Sequence, residues 1–336
     1  MSELTFEKES FNPTLDKGSK KIKILDEGKT KIVSSFYDDS IDFRNLVQIT
    51  TKDVLTANDA TKKTNIEVAS DKTNQTCNVF RYLESKGVKT SFVKQIDDYS
   101  FIAKQCKMLP YECVVRRRAY GSLLKRYPII ESGTYFHLPM KEFFHKLAIV
   151  PPVLEHENSL AISDSYRLME ENVAREFYLV NGEWIVDVIT DPYIEFNWGE
   201  WRENNSSMTD KTGFKLDLHK PKETYFTSNK ILITDSLISP AEYREIDELM
   251  MNVFMLLENA WKKFDIELID LKIEVGYDYD NCELMVADVI DNDSWRLWPK
   301  GISEDQLDKQ SFRDGESLEI VKEKYSQVTK YTNKFN

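Results

Sequence analysis

The stretch Asp288–Trp298 holds three aspartates, two tryptophans and an arginine within eleven residues. Carboxylates this close repel one another unless a cation or a bound ligand offsets their charge. Tryptophans beside them indicate a partly dry environment, where charges interact more strongly than in water. We therefore expect the chemistry of the protein to lie in this stretch and in the charged run Asp308–Arg313 that follows it.

The alternating residues 268–275, which precede this stretch, predict a hairpin that brings two carboxylates together. Their polar face carries Lys272 and Glu274, and after a polar turn the chain returns as an apolar run that ends at Asp288. Two converging carboxylates suit Mg²⁺, and the lysine beside them could hold a phosphate oxygen. The alternative is that the polar face is an ordinary solvated strand face.

Two glycine turns with basic side chains are further candidates for binding phosphate or carboxylate groups. The first, Glu27–Lys31, contains Gly-Lys-Thr, but a P-loop requires a glycine five residues before Gly28, where this chain has Lys23. A P-loop is therefore excluded, although the turn could still cover phosphates. In the second, the arginines Arg116–Arg118 precede Gly121-Ser122. An exposed basic surface is an equally good interpretation of both turns.

The composition describes an ordinary soluble globular protein of 336 residues, 41% hydrophobic and 30% charged, long enough for one large domain or two lobes. The net charge of −12 argues against a nucleic-acid groove but allows a local site for a small anion. The four cysteines and four histidines show no metal-ligand spacing, so we expect free thiols. Without a secretion signal or a bilayer-spanning stretch, we expect a cytoplasmic protein that binds no membrane.

Two lobes are expected to position these segments. Residues 1–20 read as an N-terminal extension, and residues 21–107 as a strand-rich N-terminal lobe with a helix over 73–87. A proline-bearing connector then marks the boundary. Residues 108–336 form the predicted C-terminal lobe, which carries an insertion at about 147–230.

Local patterns also predict individual elements of the second lobe. Ser239-Pro240 is a strong helix start, and the apolar residues from 246 to 264 recur at helical spacing and indicate a core helix. Within the insertion, Asn181-Gly182 predicts the turn of a hairpin. Residues 167–177 are predicted to be helical and residues 199–230 to be rich in loops.

Taken together and in order, seven segments of the chain resemble the SAICAR synthetase family, and most closely the synthetase part of the bifunctional animal enzyme. They are Glu27–Lys31, Lys52–Asp59, Met108–Arg117, Gly121–Arg126, Asp270–Glu274, Ala287–Trp298 and Asp308–Arg313. The resemblance covers roughly residues 21–146 and 231–330.

The resemblance implies an α/β (α+β) fold of two lobes, distantly similar to kinase and ATP-grasp lobes, with ATP in the cleft between them. It implies an ATP-dependent ligase that joins L-aspartate to the carboxylate of CAIR to give SAICAR, ADP and phosphate, with Mg²⁺ as the metal and a homodimer as a possible assembly. A carboxylate is a poor electrophile, so its phosphorylation supplies a leaving group for attack by the amine. Catalysis is then mostly positioning and charge neutralisation.

The resemblance also implies roles for individual residues. The implied nucleotide-binding residues are Gly28, Lys29, Lys31, Lys107, Met108 and Glu112. The implied metal ligands are Glu274 and Asp288. The implied substrate-binding residues are Asp59, Arg116, Ser122, Asp293, Ser294, Arg296, Lys309 and Arg313. The implied catalytic residues are Lys272, Asp191 and Lys309, whereas Asp291 receives no role.

The chain departs from the family pattern at three places. It has Val68-Ala69 where the family usually has Gly-Lys, and Lys72 is a candidate replacement. Roughly forty extra residues separate the segment that ends at Lys146 from Asp191. Beside the Gly-Ser pair, Arg118 and Tyr120 replace smaller or less charged residues and could narrow or recharge the pocket.

These departures keep two alternatives open. The first is a ligase of the same fold that uses a different carboxylate or amine. The second is a non-catalytic nucleotide-binding protein, but a retired site has no physical reason to keep mutually repelling carboxylates together. Nothing after Arg313 resembles the animal enzyme's carboxylase part, so we expect CAIR to come from another protein.

Overall fold

The computed structural model describes residues 23–37, 45–57, 62–150 and 240–336, together with short segments between 167 and 233. The strands of its first half are β1 (Ile24–Glu27), β2 (Lys31–Phe36), β3 (Leu46–Thr51), β4 (Val54–Ala57), β5 (Lys62–Asn65), β6 (Phe92–Gln95), β7 (Ser100–Lys104), β8 (Cys106–Met108), β9 (Tyr111–Arg118), β10 (Tyr135–His145) and β11 (Leu147–Val150). The later strands are β12 (Arg167–Glu170), β13 (Leu179–Val180), β14 (Glu183–Trp184), β15 (Ile189–Thr190), β16 (Tyr193–Glu195), β17 (Phe214–Asp217), β18 (Lys230–Ile233), β19 (Ile266–Asp278), β20 (Leu284–Ala287) and β21 (Trp295–Pro299).

The helices with described bounds are α1 (Ala69–Ser85), α2 (Ser122–Arg126), α3 (Pro240–Lys262), α4 (Gln310–Arg313) and α5 (Leu318–Thr332), with a 3-10 turn at Ser303–Asp305. Residues 174, 176 and 177 are also helical. None of these helices is long and apolar enough to cross a membrane.

The first sheet is antiparallel and has the order β1-β2-β3-β7-β6. Helix α1 packs against it, with Phe80 near the rings of Phe92 and Phe101 at centroid distances of 6.3 and 6.4 Å. The helix begins at Ala69, four residues earlier than predicted, because the Asp53 carboxylate accepts the backbone N–H groups of residues 68 and 69 at 3.0 and 2.8 Å. This cap comes from a distant turn, so no local sequence signal shows it.

The second sheet has nine strands, and its centre is β19. The path runs β18-β17-β16-β10-β9-β19-β20, while β21 and β8 also pair with β19. Helix α3 packs on β19 and starts at the predicted Pro240. The predicted apolar stripe is confirmed as core, since the following side chains are fully buried: Ile246, Met250, Val253, Phe254, Leu257 and Trp261.

One hydrophobic cluster runs through both sheets, α1 and α3, and α5 packs directly on α1. The predicted boundary between the lobes falls within β8, which pairs with β19 across Gly276. A Cβ atom at Gly276 would lie 3.0 Å from the Lys107 carbonyl oxygen, so a glycine permits this close approach. The division into lobes remains a prediction.

The insertion contains more strand than predicted. Arg167–Glu170, predicted to be helical, is strand β12, paired with β11 over all four of its residues. This part of the prediction was wrong because pairing with a distant strand outweighs local helical spacing. The hairpin around positions 181–182 is confirmed by the pairing of β13 with β14. Strand β17 lies inside the stretch predicted to be loop-rich, and it extends the second sheet through β16 and β18.

Candidate active site

The predicted carboxylate pair forms where β19 and β20 meet. Glu274 lies opposite Ala287 in the antiparallel register, so Asp288 is the next residue beyond the pairing. Asp288 adopts a φ of +62°, a left-handed conformation that Asp tolerates better than most side chains. The predicted hairpin is confirmed, but the solvated strand face is not, because Asp270 and Glu274 are only 4% and 6% exposed.

Lysines from three separate strands or loops surround this pair. The Lys31 ammonium, on β2, pairs with Asp288, and Lys146, which follows β10, pairs with Glu274. Lys272 Nζ lies 3.0 Å from Glu274 Oε1. It also lies 3.1 Å from an oxygen of Glu112, which belongs to β9. We call this set the Glu274 cluster; it consists of Lys31, Glu112, Lys146, Lys272, Glu274 and Asp288.

Charge rather than burial decides the protonation of Glu274. Burial by itself raises the pKa of this carboxyl, but Lys272, Lys146 and Lys31 outweigh it and hold the pKa well below its usual range. Burial lowers the pKa of Lys31 to about 8, against the opposing pull of Glu274. The cluster therefore presents an ionised carboxylate among ammonium groups, which suits binding of a cation together with phosphate oxygens.

A second group surrounds the buried Arg116, on β9. Its Nε lies 2.5 Å from Glu142 Oε2 and its Nη1 lies 2.6 Å from Asp270 Oδ2. Its Nη2 donates to Ser122 Oγ at 3.3 Å. Arg296, on β21, pairs with the same Asp270 oxygen. Arg116 is thus held by two carboxylates and shares one of them, Asp270, with Arg296. Guanidinium groups beside a hydroxyl are suited to binding phosphate or carboxylate.

The Gly-Ser turn shapes the surroundings of Arg296. Gly121 has a φ of +65°, and a Cβ atom there would lie 2.8 Å from Arg296 Nη2. Arg296 Cζ sits 5.3 Å from the centre of the Tyr120 ring, and Trp298 contacts that ring edge-on at 5.2 Å. Of the two departures beside the Gly-Ser pair, Tyr120 is therefore the one in contact with Arg296. Arg118 donates instead to Glu267 and to the carbonyl of residue 133, each at 3.0 Å.

A third group gathers on Asp293. Its Oδ2 accepts from Lys72 at 2.8 Å and from Lys309 at 3.1 Å, and its Oδ1 accepts from the Tyr325 hydroxyl at 2.7 Å. Asp291 Oδ2 lies 3.8 Å from the Lys72 ammonium. Burial raises the pKa of Asp291. Burial also acts on Asp293, but the two lysines hold its pKa well below the usual range. These five residues are called the Asp293 cluster.

Other predicted site residues lie outside these groups. Lys29 is exposed beyond β1, and Lys107 and Met108 are exposed on β8. The exposed Arg313 donates to Gln310 at 3.2 Å. Ser294 is buried in the turn before β21, where its hydroxyl donates to the carbonyl of residue 289. Asp59 and Asp191 lie outside the described residues.

Sequence reasoning assigned no role to several residues that the fold brings to the site. Glu142 and Lys146 stand in a segment that resembles the family, so a signal existed. Asp270 alternates with Lys272 and Glu274, which also could have identified it. Tyr325, on α5, has no sequence signal, because its contact with the site depends on the docking of the C-terminal helix.

A sequence model of the SAICAR synthetase family matches residues 24–161 and 221–332. The chain belongs to the SAICAR synthetase family. The predicted resemblance is therefore confirmed, and the unmatched residues 162–220 fall within the predicted insertion.

Members of the SAICAR synthetase family from animals and bacteria are similar over most of this chain. The mouse bifunctional phosphoribosylaminoimidazole carboxylase/succinocarboxamide synthetase is 31% identical over 312 residues, which cover 91% of this chain and 57% of that protein. The chain thus spans little more than half the length of the animal relatives. The phosphoribosylaminoimidazole-succinocarboxamide synthase of Chloroflexus aurantiacus is 30% identical over 318 residues, or 93% of this chain and 96% of the bacterial one.

Solved structures of SAICAR synthetase family members share the fold. The Ehrlichia chaffeensis phosphoribosylaminoimidazole-succinocarboxamide synthase has a TM-score of 0.61 at 21% identity, covering 93% of this chain and 98% of that one. A SAICAR synthetase in complex with ADP also has a TM-score of 0.61, at 23% identity, covering 93% of this chain and 97% of that one. The predicted α/β fold class is confirmed.

Proposed function

We propose that the protein is an ATP-dependent ligase that joins L-aspartate to the carboxylate of CAIR and releases SAICAR, ADP and phosphate. The observation that carries this proposal is the order of side chains along β19. Asp270 holds the two arginines, Lys272 follows, and Glu274 belongs to the carboxylate pair. Alternate residues of a strand share a face and are spaced by about 7 Å. A site for an anionic substrate therefore adjoins a site for phosphates.

Magnesium fits the Glu274 cluster by the chemistry of its donors. Glu274 and Asp288 supply hard carboxylate oxygens, and the described residues contain no cluster of three or more ligating side chains. Two carboxylates are sufficient for Mg²⁺, which usually completes its coordination with water and substrate phosphates. Glu274 and Asp288, now paired with Lys146 and Lys31, would hold the ion, and the chemistry it would supply is neutralisation of phosphate charge.

The protein's own residues would then act mainly by positioning. Lys31 and Lys272 would bind phosphate oxygens on the nucleotide side, with Lys29 and the exposed β8 along the nucleotide. Arg116, Ser122 and Arg296 would hold the anionic imidazole nucleotide. A carboxylate oxygen of that substrate attacks the γ-phosphorus and ADP leaves. The aspartate amine then attacks the acyl phosphate carbon, phosphate leaves, and the amine loses a proton.

Purified protein incubated with ATP, Mg²⁺, CAIR and L-aspartate tests this function. We expect ADP release that requires both CAIR and aspartate, and SAICAR as the product. Absence of aspartate-dependent ADP release would contradict the proposal. Release supported by another amino acid, but not by aspartate, would favour the alternative ligase. Nucleotide binding without turnover of any amine would favour the non-catalytic alternative.

The assembly and location of the protein also remain proposals. A homodimer and a cytoplasmic location are consistent with the family and with the absence of a membrane-spanning helix among the described residues. The net charge of −12 continues to argue against a nucleic-acid partner.

A further inference from the structure

We propose that Lys72 is a positioning residue for the ligase reaction. By sharing the Asp293 carboxylate with Lys309, it leaves the Lys309 ammonium available to an anionic substrate. This inference rests on the proposed function. Lys72 lies outside the seven segments that resemble the family; the resemblance names it only as a candidate replacement for the missing Gly-Lys, with no role in catalysis or binding.

The geometry places two ammonium groups on one oxygen. Lys72 Nζ lies 2.8 Å and Lys309 Nζ lies 3.1 Å from Asp293 Oδ2, while Tyr325 donates to the other oxygen. The negative charge of Asp293 is therefore divided between two lysines. Each ammonium group is therefore bound less strongly by Asp293 than it would be if it were the only partner. An ammonium group has three N–H donors, so it can also donate to another acceptor.

Burial distinguishes the two lysines. The Lys72 side chain is 2% exposed, whereas that of Lys309 is 10% exposed, so Lys309 is the one that a ligand can reach. Lys72 also has a second partner in Asp291, which is itself 2% exposed. Two lysines and two aspartates balance one another in this cluster. Asp291 therefore offsets the charge of the Lys72 ammonium, which is too buried to be solvated by water.

The fold keeps Lys72 in place independently of the substrate. It stands in the first turn of α1, which starts where the Asp53 carboxylate caps residues 68 and 69. Lys309 immediately precedes α4, far along the chain. Lys72 thus reaches from the helix of the first sheet to the loop that carries Asp293, 221 residues later.

The ligand class is a carboxylate or phosphate-bearing substrate that pairs with Lys309. Without Lys72, Asp293 would have Lys309 as its one remaining ammonium partner in the cluster. Asp293 would then compete more strongly with the substrate. Losing one charge-assisted interaction corresponds to about a tenfold rise in KM for the affected substrate. The kcat should change by less than about threefold, because Lys72 does not touch the reacting atoms.

A double-mutant cycle in the full chain tests this inference. KM values for aspartate and CAIR are measured for wild type, Lys72→Met, Asp293→Asn and the double variant. We expect Lys72→Met to raise one KM about tenfold in the wild-type background and less than about threefold in the Asp293→Asn background. Lys72→Arg should keep KM near the wild-type value, and Lys86→Met, at the exposed end of the same helix, should change neither constant.

An equal rise of KM in both backgrounds would overturn the inference, as would a loss confined to kcat. If Lys72→Met folds poorly, Lys72→Met/Asp291→Asn removes the carboxylate left unpaired, and the same cycle is measured on that background. An inactive wild-type protein would refute the proposed function itself. An active wild type with an unchanged KM in Lys72→Met would refute the role of Lys72 alone.

Discussion

The Glu274 cluster and the Asp293 cluster are both built from lysines and carboxylates, yet their lysines differ in access to solvent. In the Glu274 cluster, the side chains of Lys31, Lys272 and Lys146 are 24%, 32% and 40% exposed. In the Asp293 cluster, Lys72 and Asp291 are each 2% exposed. The lysines of the first cluster are open enough to release their carboxylates to the metal and phosphates that we propose bind there. The second is a fixed network that holds a loop and one lysine in position.

This difference predicts that the two clusters respond differently to the loss of a lysine. Lys72→Met leaves the buried Asp291 without its ammonium partner and Asp293 with Lys309 alone, so we expect the free energy of unfolding to fall by about 3–5 kcal/mol. Lys272→Met should cost about 1 kcal/mol or less, because water screens this partly exposed group. Urea unfolding of both variants checks the contrast, and equal losses would show that the clusters do not differ in this way.

The buried His145 shows what burial does without a counter-charge. Within the described residues neither ring nitrogen has a hydrogen-bond partner, and burial lowers the pKa of this histidine from 6.5 to about 4. The unfolded chain therefore binds the proton more readily than the folded protein. The titration of His145 therefore leaves the free energy of unfolding at its full value above pH 6.5. As the pH falls towards 4, it lowers this free energy by up to about 3 kcal/mol.

Unfolding measured between pH 7 and 4 tests this expectation. As the pH falls from 7 to 4, the free energy of unfolding of His145→Phe should fall by less than that of the wild type, with a difference of up to about 3 kcal/mol. The edge-on contact of His145 with Tyr111, at a centroid distance of 5.1 Å, can be kept by another aromatic ring. Parallel pH profiles for the two proteins would show that His145 is not the group responsible.

Because we propose that Asp288 holds Mg²⁺ in the Glu274 cluster, we expect substitution of Asp288 to have the largest effect on turnover. We expect Asp288→Asn to lower kcat by about 100-fold, equivalent to about 2.7 kcal/mol, because a neutral amide binds Mg²⁺ and neutralises Lys31 poorly. Folding should be retained, since Asn also tolerates a positive φ. Aspartate-dependent ADP release and circular dichroism measure the two effects.

Asp305→Asn, in the exposed 3-10 turn, is the matched control for Asp288→Asn and should remain fully active. Full activity in Asp288→Asn would show that the proposed metal ligand is assigned incorrectly.

The smallest expected effect concerns Tyr120, which lies outside both clusters and packs on Arg296. Tyr120→Leu removes this cation–π contact and should raise KM for CAIR about threefold, with kcat nearly unchanged. Tyr120→Phe keeps the ring and should retain a wild-type KM. Steady-state kinetics at varied CAIR distinguishes the variants. An equal KM for Tyr120→Leu and the wild type would show that Tyr120 does not help to position Arg296, and that Gly121 and Asp270 do so without it.

Local signals in the sequence were sufficient for several parts of the site. The strict alternation before Asp288 predicted the hairpin, and its register places Glu274 beside that residue. A serine–proline start followed by apolar residues at helical spacing predicted α3. Seven segments in order identified the family. Each of these signals depends on residues that are neighbours in sequence, where the period of a strand or helix is directly visible.

Only the tertiary structure decided where the charges are buried and which of them pair. The early start of α1 depends on Asp53, and strand β12 depends on pairing with β11. Asp270 on the polar face of β19 is buried because Arg116 on β9 and Arg296 on β21 lie opposite it in the sheet and pair with it. Asp291 had no role until Lys72 was placed beside it. Pairs such as Lys72 and Asp293, 221 residues apart, leave no periodic pattern in the sequence, because an electrostatic contact depends on distance and burial in the folded protein and not on separation along the chain.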